Sequence, residues 1–123
     1  MRLFSFEKLD VWKLSMTFTK RIYELTNSFP EEEKFGLTSQ IRRASVSITS
    51  NIAEGNSRIT GKEQARFSEI SYGSLLEVLN QLIIATELKY ISETKLNNLR
   101  PLIEEISNKL NSLRKYQLTM VVK

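Results

Sequence analysis

The pattern that most constrains the fold of this chain lies in residues 37–55, where apolar side chains recur at helical spacing. They form a single stripe along a helix: Leu37, Ile41, Ala44, Ile48 and Ile52. A second stripe of the same segment is polar, but its side chains are mostly short: Arg43, Ser47, Ser50 and Glu54. A solvated helix face more often carries Lys and Glu throughout. We therefore predict a helix with protein packed against both faces.

Proline and glycine divide the chain into four predicted helices. The first covers residues 7–28 and ends ahead of Pro30, because proline disfavours the α conformation in the preceding residue. The second covers residues 37–55, and Gly55 is expected to cap it in the left-handed conformation. The third covers residues 61–90. With no internal repeat in the sequence, this organisation predicts an all-α, up-down four-helix bundle.

The fourth helix is predicted to begin at residue 93. Ser92 is its expected N-cap, and Glu93 places an acidic side chain in the first turn. Pro101 lies inside this segment and removes one backbone hydrogen bond. Two interpretations stay open: the helix kinks at Pro101, or residues 93–98 form a separate turn.

The first and third helices carry more apolar surface than a monomeric bundle needs. The main stripe of helix one consists of Val11, Leu14, Phe18, Ile22, Leu25 and Phe29. Helix four carries a single stripe: Leu96, Leu99, Ile103, Ile106, Leu110 and Leu113. The main stripe of helix three is predicted to face the core: Phe67, Ile70, Leu75, Val78, Leu82, Ala85 and Leu88. The additional stripes are predicted to contact another subunit: Leu9, Trp12, Met16 and Tyr23 on helix one, and Tyr72, Leu76, Leu79 and Ile83 on helix three. The alternative is that these residues are scattered exposed apolar side chains, which soluble proteins tolerate.

Six polar residues on helices two and three are spaced so that they would meet between antiparallel helices. Their expected role is a structural hydrogen-bonded network: Arg43, Asn51, Glu54, Ser74, Glu77 and Gln81. The alternative makes Glu54 and Glu77 catalytic acids or metal ligands. The chain has no histidine, so it lacks the Glu-x-x-His ligands of di-iron bundles and a histidine base for a serine nucleophile. We expect no catalytic residue, no metal and no cofactor.

Composition predicts one domain over residues 1–123, because a chain of this length with 41% hydrophobic residues buries a single core. Cysteine is absent, which excludes disulfides and thiolate metal sites and fits a reducing cytoplasm. Charged residues precede any apolar run long enough for a signal peptide, and no window is apolar enough for a membrane span. We expect a soluble cytoplasmic protein.

The basic residues are the main indication of function. The chain carries a formal charge of +4, with 18 Lys and Arg against 14 Asp and Glu. The candidates for phosphate contacts are Arg42, Arg43, Arg58, Lys62 and Arg66 around helices two and three, and Lys13, Lys20 and Arg21 on helix one. Each of them would otherwise be ordinary solvated charge. No base-reading motif accompanies them, so binding would be led by charge and shape rather than by sequence.

Five segments together resemble the signature of the small four-helix bundle proteins encoded in intervening sequences of bacterial 23S rRNA genes. The matching residues are 6–12, 29–37, 40–48, 51–55 and 73–77. The resemblance implies a ring-shaped homo-oligomer, a pentamer, with a basic surface and nucleic acid as partner. It also implies kinship with accessory proteins of diversity-generating retroelements. A pentamer would carry a formal charge of 5 × 4 = +20. The small positive charge of each chain would thus add up to a strong electrostatic field.

Residues and resemblance together predict a non-enzymatic oligomeric bundle that binds RNA or DNA through a basic surface. The competing prediction is a protein-interaction scaffold that never touches nucleic acid. The two differ in whether the basic residues converge in the assembly.

Overall fold

The computed structural model of the chain describes residues 1–120, in which four α-helices and no β-strand are present. The helices are α1 (Asp10–Thr26), α2 (Leu37–Asn56), α3 (Gly61–Glu87) and α4 (Glu93–Leu118). Short 3-10 turns at Ser5–Lys8 and Glu31–Glu33 precede α1 and α2. The predicted all-α class with four helices is confirmed. The predicted domain, residues 1–123, extends beyond the described residues at its last three positions.

The helices form a bundle in which each packs against two neighbours, in the order α1, α2, α3, α4 and back to α1. One hydrogen bond marks each of three antiparallel pairs: Thr19 to the Ser45 carbonyl oxygen at 3.1 Å, Ser47 with Ser74 at 2.9 Å, and Ser68 to Gln117 at 2.7 Å. Helices α1 and α3 therefore occupy diagonal corners, as do α2 and α4.

The core follows the predicted stripes on three of the four helices. Four of the five predicted α2 residues are buried, and Leu37 is partly buried. Helix α4 buries five of its apolar residues at helical spacing: Leu96, Leu99, Ile103, Ile106 and Leu110. Phe18 and Ile22 of α1 are fully buried against them in one continuous core.

Two core predictions for α3 are wrong. Ile70 is 41% exposed and Leu88 is 51% exposed. Ile70 lies five residues before Leu75, which rotates it about 140° around the helix from that buried position. Leu88 follows the last helical residue, so the helical repeat no longer sets its direction.

Gly55 does not cap α2 in the left-handed conformation, because no glycine among the described residues has a positive φ. It is buried inside α2, and a Cβ at this position would lie 2.6 Å from Cβ of Phe67. Gly55 thus provides space for close packing of α2 on α3. The left-handed residue is Lys89, with a φ of 63°. It ends α3 in a Schellman motif, in which the Tyr90 amide donates to the Ala85 carbonyl oxygen at 2.9 Å.

Helix α4 continues through Pro101, so the interpretation of residues 93–98 as a separate turn is wrong. Ser92 caps the helix as predicted, and its hydroxyl oxygen accepts a hydrogen bond from the Lys95 amide at 3.1 Å. Helix α1 is shorter than predicted. Glu7, expected to begin it, instead lies in the preceding 3-10 turn and accepts a hydrogen bond from the Phe4 amide at 2.8 Å.

The start of α2 is stabilised by Glu33, which the sequence pattern did not single out. Its carboxylate accepts hydrogen bonds from the Leu37 amide at 3.0 Å and the Tyr90 hydroxyl at 2.9 Å. These bonds lower the pKa of Glu33, with the Leu37 amide as the larger cause. The bond from Tyr90 raises the pKa of that phenol. One carboxylate therefore joins the start of α2 to the end of α3.

Candidate nucleic-acid interface

Arg42, a predicted phosphate contact, holds α2 against the end of α1. Its Nε donates to Thr26 Oγ1 at 2.8 Å, and Nη2 donates to Asn27 Oδ1 at 3.0 Å and to the Tyr23 carbonyl oxygen at 3.3 Å. The guanidinium lies 4.7 Å from the centre of the Tyr23 ring. These contacts use the planar fork of the guanidinium within the chain. Arg42 thus has a structural role that its place in the sequence did not indicate.

Arg58 is also engaged within the chain. Its Nη2 pairs with Glu54 Oε2 at 2.5 Å, and its guanidinium lies 4.7 Å from the centre of the Phe67 ring. Its Nε is buried without a hydrogen-bond partner. Because both charged side chains stay partly exposed, the ion pair itself stabilises the fold little, and stacking on Phe67 does more to fix the guanidinium.

The other six predicted phosphate contacts are exposed, and none belongs to an ion pair within residues 1–120: Lys13, Lys20, Arg21, Arg43, Lys62 and Arg66. They do not form one patch on a single chain. Three lie on α1, Arg43 lies on α2, and Lys62 and Arg66 lie on α3. Because α1 and α3 occupy diagonal corners, the α1 and α3 groups face different sides of the bundle.

The α1 group has a basic neighbour on α4, Lys95, which no sequence pattern indicated. Arg21 and Lys95 line one open cleft of about 280 Å³ between α1 and α4, together with Glu24, Leu25, Asn98 and Leu99. Both basic side chains are exposed, and the cleft also provides an amide side chain. The two basic side chains outnumber the single carboxylate of Glu24, so the cleft suits an anionic ligand with hydrogen-bonding groups, such as a sugar-phosphate backbone.

The predicted polar network forms only in part. Asn51 Nδ2 donates to the Ser47 carbonyl oxygen at 2.8 Å and to Ser47 Oγ at 3.0 Å, and Ser47 Oγ meets Ser74 Oγ at 2.9 Å. Ser47 is therefore the residue that connects Asn51 on α2 to Ser74 on α3. Sequence reasoning placed Ser47 on the polar stripe but not in the network.

Arg43 forms a salt bridge with neither Glu54 nor Glu77 within residues 1–120, and Glu54 pairs with Arg58 instead. Arg43 and Glu77 line a common cleft of about 410 Å³ between α2 and α3, and no salt bridge joins them in residues 1–120. Gln81 Nε2 donates weakly to Glu77 at 3.4 Å, while Gln81 Oε1 is buried without a partner. The two carboxylates therefore lie in separate contacts and not in one network.

The residues predicted to contact another subunit fall into two groups. Leu9, Trp12, Tyr72 and Leu79 are partly buried and pack against the core of their own chain. Met16 is partly buried, whereas Tyr23, Leu76 and Ile83 are 41%, 44% and 38% exposed. The packed group needs no second subunit to cover it. The interface prediction therefore depends on the exposed group.

Exposed aliphatic side chains are concentrated along α3. Besides Leu76 and Ile83, Ile70 is 41% exposed and Ile84 is 39% exposed. Gly73 lies among them on the same helix, and a Cβ at this position would meet nothing within 4 Å. We call the exposed residues of this surface the outer face of α3: Arg66, Ile70, Gly73, Leu76, Glu77, Asn80, Ile83 and Ile84.

Within residues 1–120, no three residues of the His, Cys, Asp or Glu type come close enough together to hold a metal ion. In the same range, no helix combines the length and the apolar character that a membrane crossing requires.

A family model described as 23S rRNA-intervening sequence protein matches residues 7–112. Among solved structures, the chain is similar to a protein of unknown function from the S23 ribosomal protein family of Bacteroides thetaiotaomicron. The two are 24% identical with a TM-score of 0.77, and the match covers 85% of this chain and 95% of the other. At that identity the likeness shows the fold. No curated protein matches the chain. Neither description names an enzymatic activity.

Proposed function

The chain belongs to the family of 23S rRNA-intervening sequence proteins, and from that premise we propose that it is a non-enzymatic protein that binds RNA or DNA. In this proposal identical subunits form a ring, five of them by the family resemblance, and contact phosphates with basic side chains. Cytoplasmic location and kinship with retroelement accessory proteins stay predictions.

The observation that carries the proposal is the cleft between α1 and α4. Arg21 and Lys95 come from different helices and line the same depression, and Lys20 is exposed next to Arg21 in sequence. No ion pair within residues 1–120 neutralises these three side chains. Phosphate contacts of this kind fix position without reading sequence. We therefore expect little preference among sequences.

The proposal is tested with two matched double variants. Lys20→Gln with Arg21→Gln removes two charges beside the cleft. Lys62→Gln with Lys115→Gln removes two exposed charges at the start of α3 and the end of α4, away from the cleft. Fluorescence anisotropy of labelled RNA and DNA at several salt concentrations measures both. The α1 variant should bind all sequences more weakly and flatten the log-log salt slope by roughly 0.9 for each lost phosphate contact on B-DNA. The Lys62, Lys115 variant should change the slope less.

Equal losses in the two variants would mean that net charge, rather than the α1–α4 cleft, drives binding. Absence of binding at low salt by the assembled wild-type protein would contradict nucleic-acid binding altogether. The second candidate function, a protein-interaction scaffold, would then be the better account. The exposed aliphatic residues of α3 favour that candidate, because apolar side chains concentrated on one face are typical of protein contacts.

A further inference from the structure

The outer faces of α2 and α3 differ in the size of their side chains. The outer face of α2 consists of its exposed residues Gln40, Arg43, Val46, Ser50 and Glu54, in which one small and one medium-sized residue lie between the charges. The outer face of α3 carries four bulky aliphatic residues. The shorter side chains of Val46 and Ser50 leave room between Arg43 and Glu54 for bulky aliphatic side chains.

Gly73 lies in the middle of α3 and faces open space in the chain. A glycine in the middle of a helix costs about 1 kcal/mol relative to alanine. No contact within the chain requires this glycine, because an added Cβ would meet nothing within 4 Å. Gly55 differs in that Phe67 occupies the space next to it. Close approach of another backbone to α3 would account for a glycine at this position.

The heights of residues along the bundle can be read from three α2–α3 contacts. These are Ser47 with Ser74, Ser71 with Ile48, and Gly55 with Phe67, whose residue numbers sum to 121, 119 and 122. A residue of α2 and a residue of α3 therefore lie at the same height along the bundle axis when their residue numbers add up to about 120. Neighbours in a closed ring are related by rotation without translation, so the same levels apply between copies whose bundles stand parallel to the ring axis.

At these levels the charges of the two outer faces are opposite. Arg43 of α2 lies level with Glu77 of α3, and Glu54 of α2 lies level with Arg66 of α3. Neither pair forms a salt bridge inside the chain within residues 1–120, where Glu54 pairs with Arg58 instead. Arg43 and Glu77 belong to no ion pair within residues 1–120, so this match of sign favours one register for α2 against α3 of another copy.

We propose that the outer face of α2 in one copy packs against the outer face of α3 in the next copy. This inference rests on the self-association proposed above and assigns its two surfaces. Because α2 and α3 occupy neighbouring corners, their outer faces point roughly 90° apart. Rings of four and five copies need contact faces roughly 90° and 108° apart, so the geometry suits a small closed ring.

Engineered cysteines test this pairing, because the chain contains no cysteine of its own. Val46 on α2 and Leu76 on α3 are 39% and 44% exposed and lie within two residues of the same level. In one chain they cannot meet. Val46 is turned about 100° from Ser47, and Leu76 about 200° from Ser74, where α2 and α3 contact each other.

The double variant Val46→Cys with Leu76→Cys should form, on mild oxidation, a ladder of covalent oligomers on a non-reducing gel. The largest covalent species should be the closed ring, and its mass gives the number of subunits. A mixture of the two single variants should yield dimers only, and each single variant alone should stay monomeric on the gel. Circular dichroism and sedimentation of the reduced variants check that fold and assembly are retained.

A second measurement uses charge. The variants Arg43→Glu and Glu77→Arg should each weaken assembly by up to about fivefold, and mixing the two should restore it, because each supplies the partner that the other lacks. Pairing inside one chain cannot produce rescue by mixing.

Cross-linking of Leu76→Cys alone would show α3 against α3 and overturn the assignment of surfaces. Failure of the double variant to cross-link, or failure of mixing to restore assembly, would do the same. In either case, if wild-type protein sediments as an oligomer, the proposed self-association still stands. A wild-type monomer at micromolar concentration would overturn both.

Discussion

Replacing Gly55 with alanine is expected to destabilise the fold, although alanine is the better helix former. The new Cβ would lie 2.6 Å from Cβ of Phe67, whereas ordinary contacts begin at 3.4 Å. Helices α2 and α3 must therefore separate locally by about 0.8 Å, the difference between those two distances. Overpacking of this kind costs typically about 1 to 3 kcal/mol.

Helix propensity offsets part of this cost. Alanine gains at most about 1 kcal/mol over glycine, and less near a helix end, where Gly55 is the last residue but one of α2. The net expectation for Gly55→Ala is a loss of about 1 kcal/mol in the free energy of unfolding. Gly73→Ala is the matched control. Its Cβ meets nothing in the chain, so it should raise the stability of an unassembled chain by up to about 1 kcal/mol.

Urea unfolding followed by circular dichroism measures both variants. To separate folding from assembly, both are compared in a chain that also carries Leu76→Glu and Ile83→Glu, two exposed positions where the charge stays in water. The two variants should shift the urea midpoint in opposite directions. Their free energies of unfolding should differ by about 2 kcal/mol. A Gly55→Ala midpoint at or above that of Gly73→Ala would refute the close-packing account of Gly55.

The remaining predictions concern three other features. Leu76→Glu with Ile83→Glu should yield folded monomer in light scattering, and aggregation of this variant would contradict the exposure of these two positions. Leu79→Glu should instead lower the free energy of unfolding by about 2 kcal/mol or more, because Leu79 packs on the core. Arg42→Gln should cost about 1 to 2 kcal/mol in urea unfolding, and Arg42→Lys should not restore it, since three bonds from one planar fork are lost. Because the folded pKa of Glu33 is lowered, its stabilisation is present above its ordinary pKa and is lost as pH falls through the folded pKa. The stability difference between wild type and Glu33→Gln should therefore vanish on acid titration, and a difference that persists at low pH would contradict this.

The sequence predicted most of the fold because helical periodicity is a local property. Ile41 and Ile48 of α2, and Ile103 and Ile106 of α4, are buried at the predicted spacing. Periodicity misplaced Ile70 because one residue at an intermediate angle belongs to either of two stripes. The helix ends were predicted less well. Lys89 adopts the left-handed conformation expected of Gly55, since Gly55 is used for packing against α3 instead.

The candidate site was less predictable because its contacts join distant parts of the chain. Arg42 reaches Thr26, sixteen residues away, so its sequence neighbours give no sign that it is engaged. Trp12 looked like part of an interface stripe, but Phe6 from outside the helix packs on it with ring centres 5.3 Å apart. Lys95 was missed because only the packing of α4 on α1 brings it to Arg21.

The two proposals together predict that assembly strengthens nucleic-acid binding without adding a contact. A ring that uses α2 and α3 as its contact faces leaves α1 and α4 on its outside, because they form the other two corners of the bundle. Every copy then presents its own cleft of Arg21 and Lys95 on the same outer surface. A few phosphate contacts per copy bind weakly, but linked sites engage one long strand with avidity gains of about 10² or more. The monomeric Leu76→Glu, Ile83→Glu variant keeps all of its basic side chains, yet it should lose more affinity for a long RNA than for one that spans a single subunit. Equal losses for long and short RNA in anisotropy titrations would contradict the link between assembly and binding.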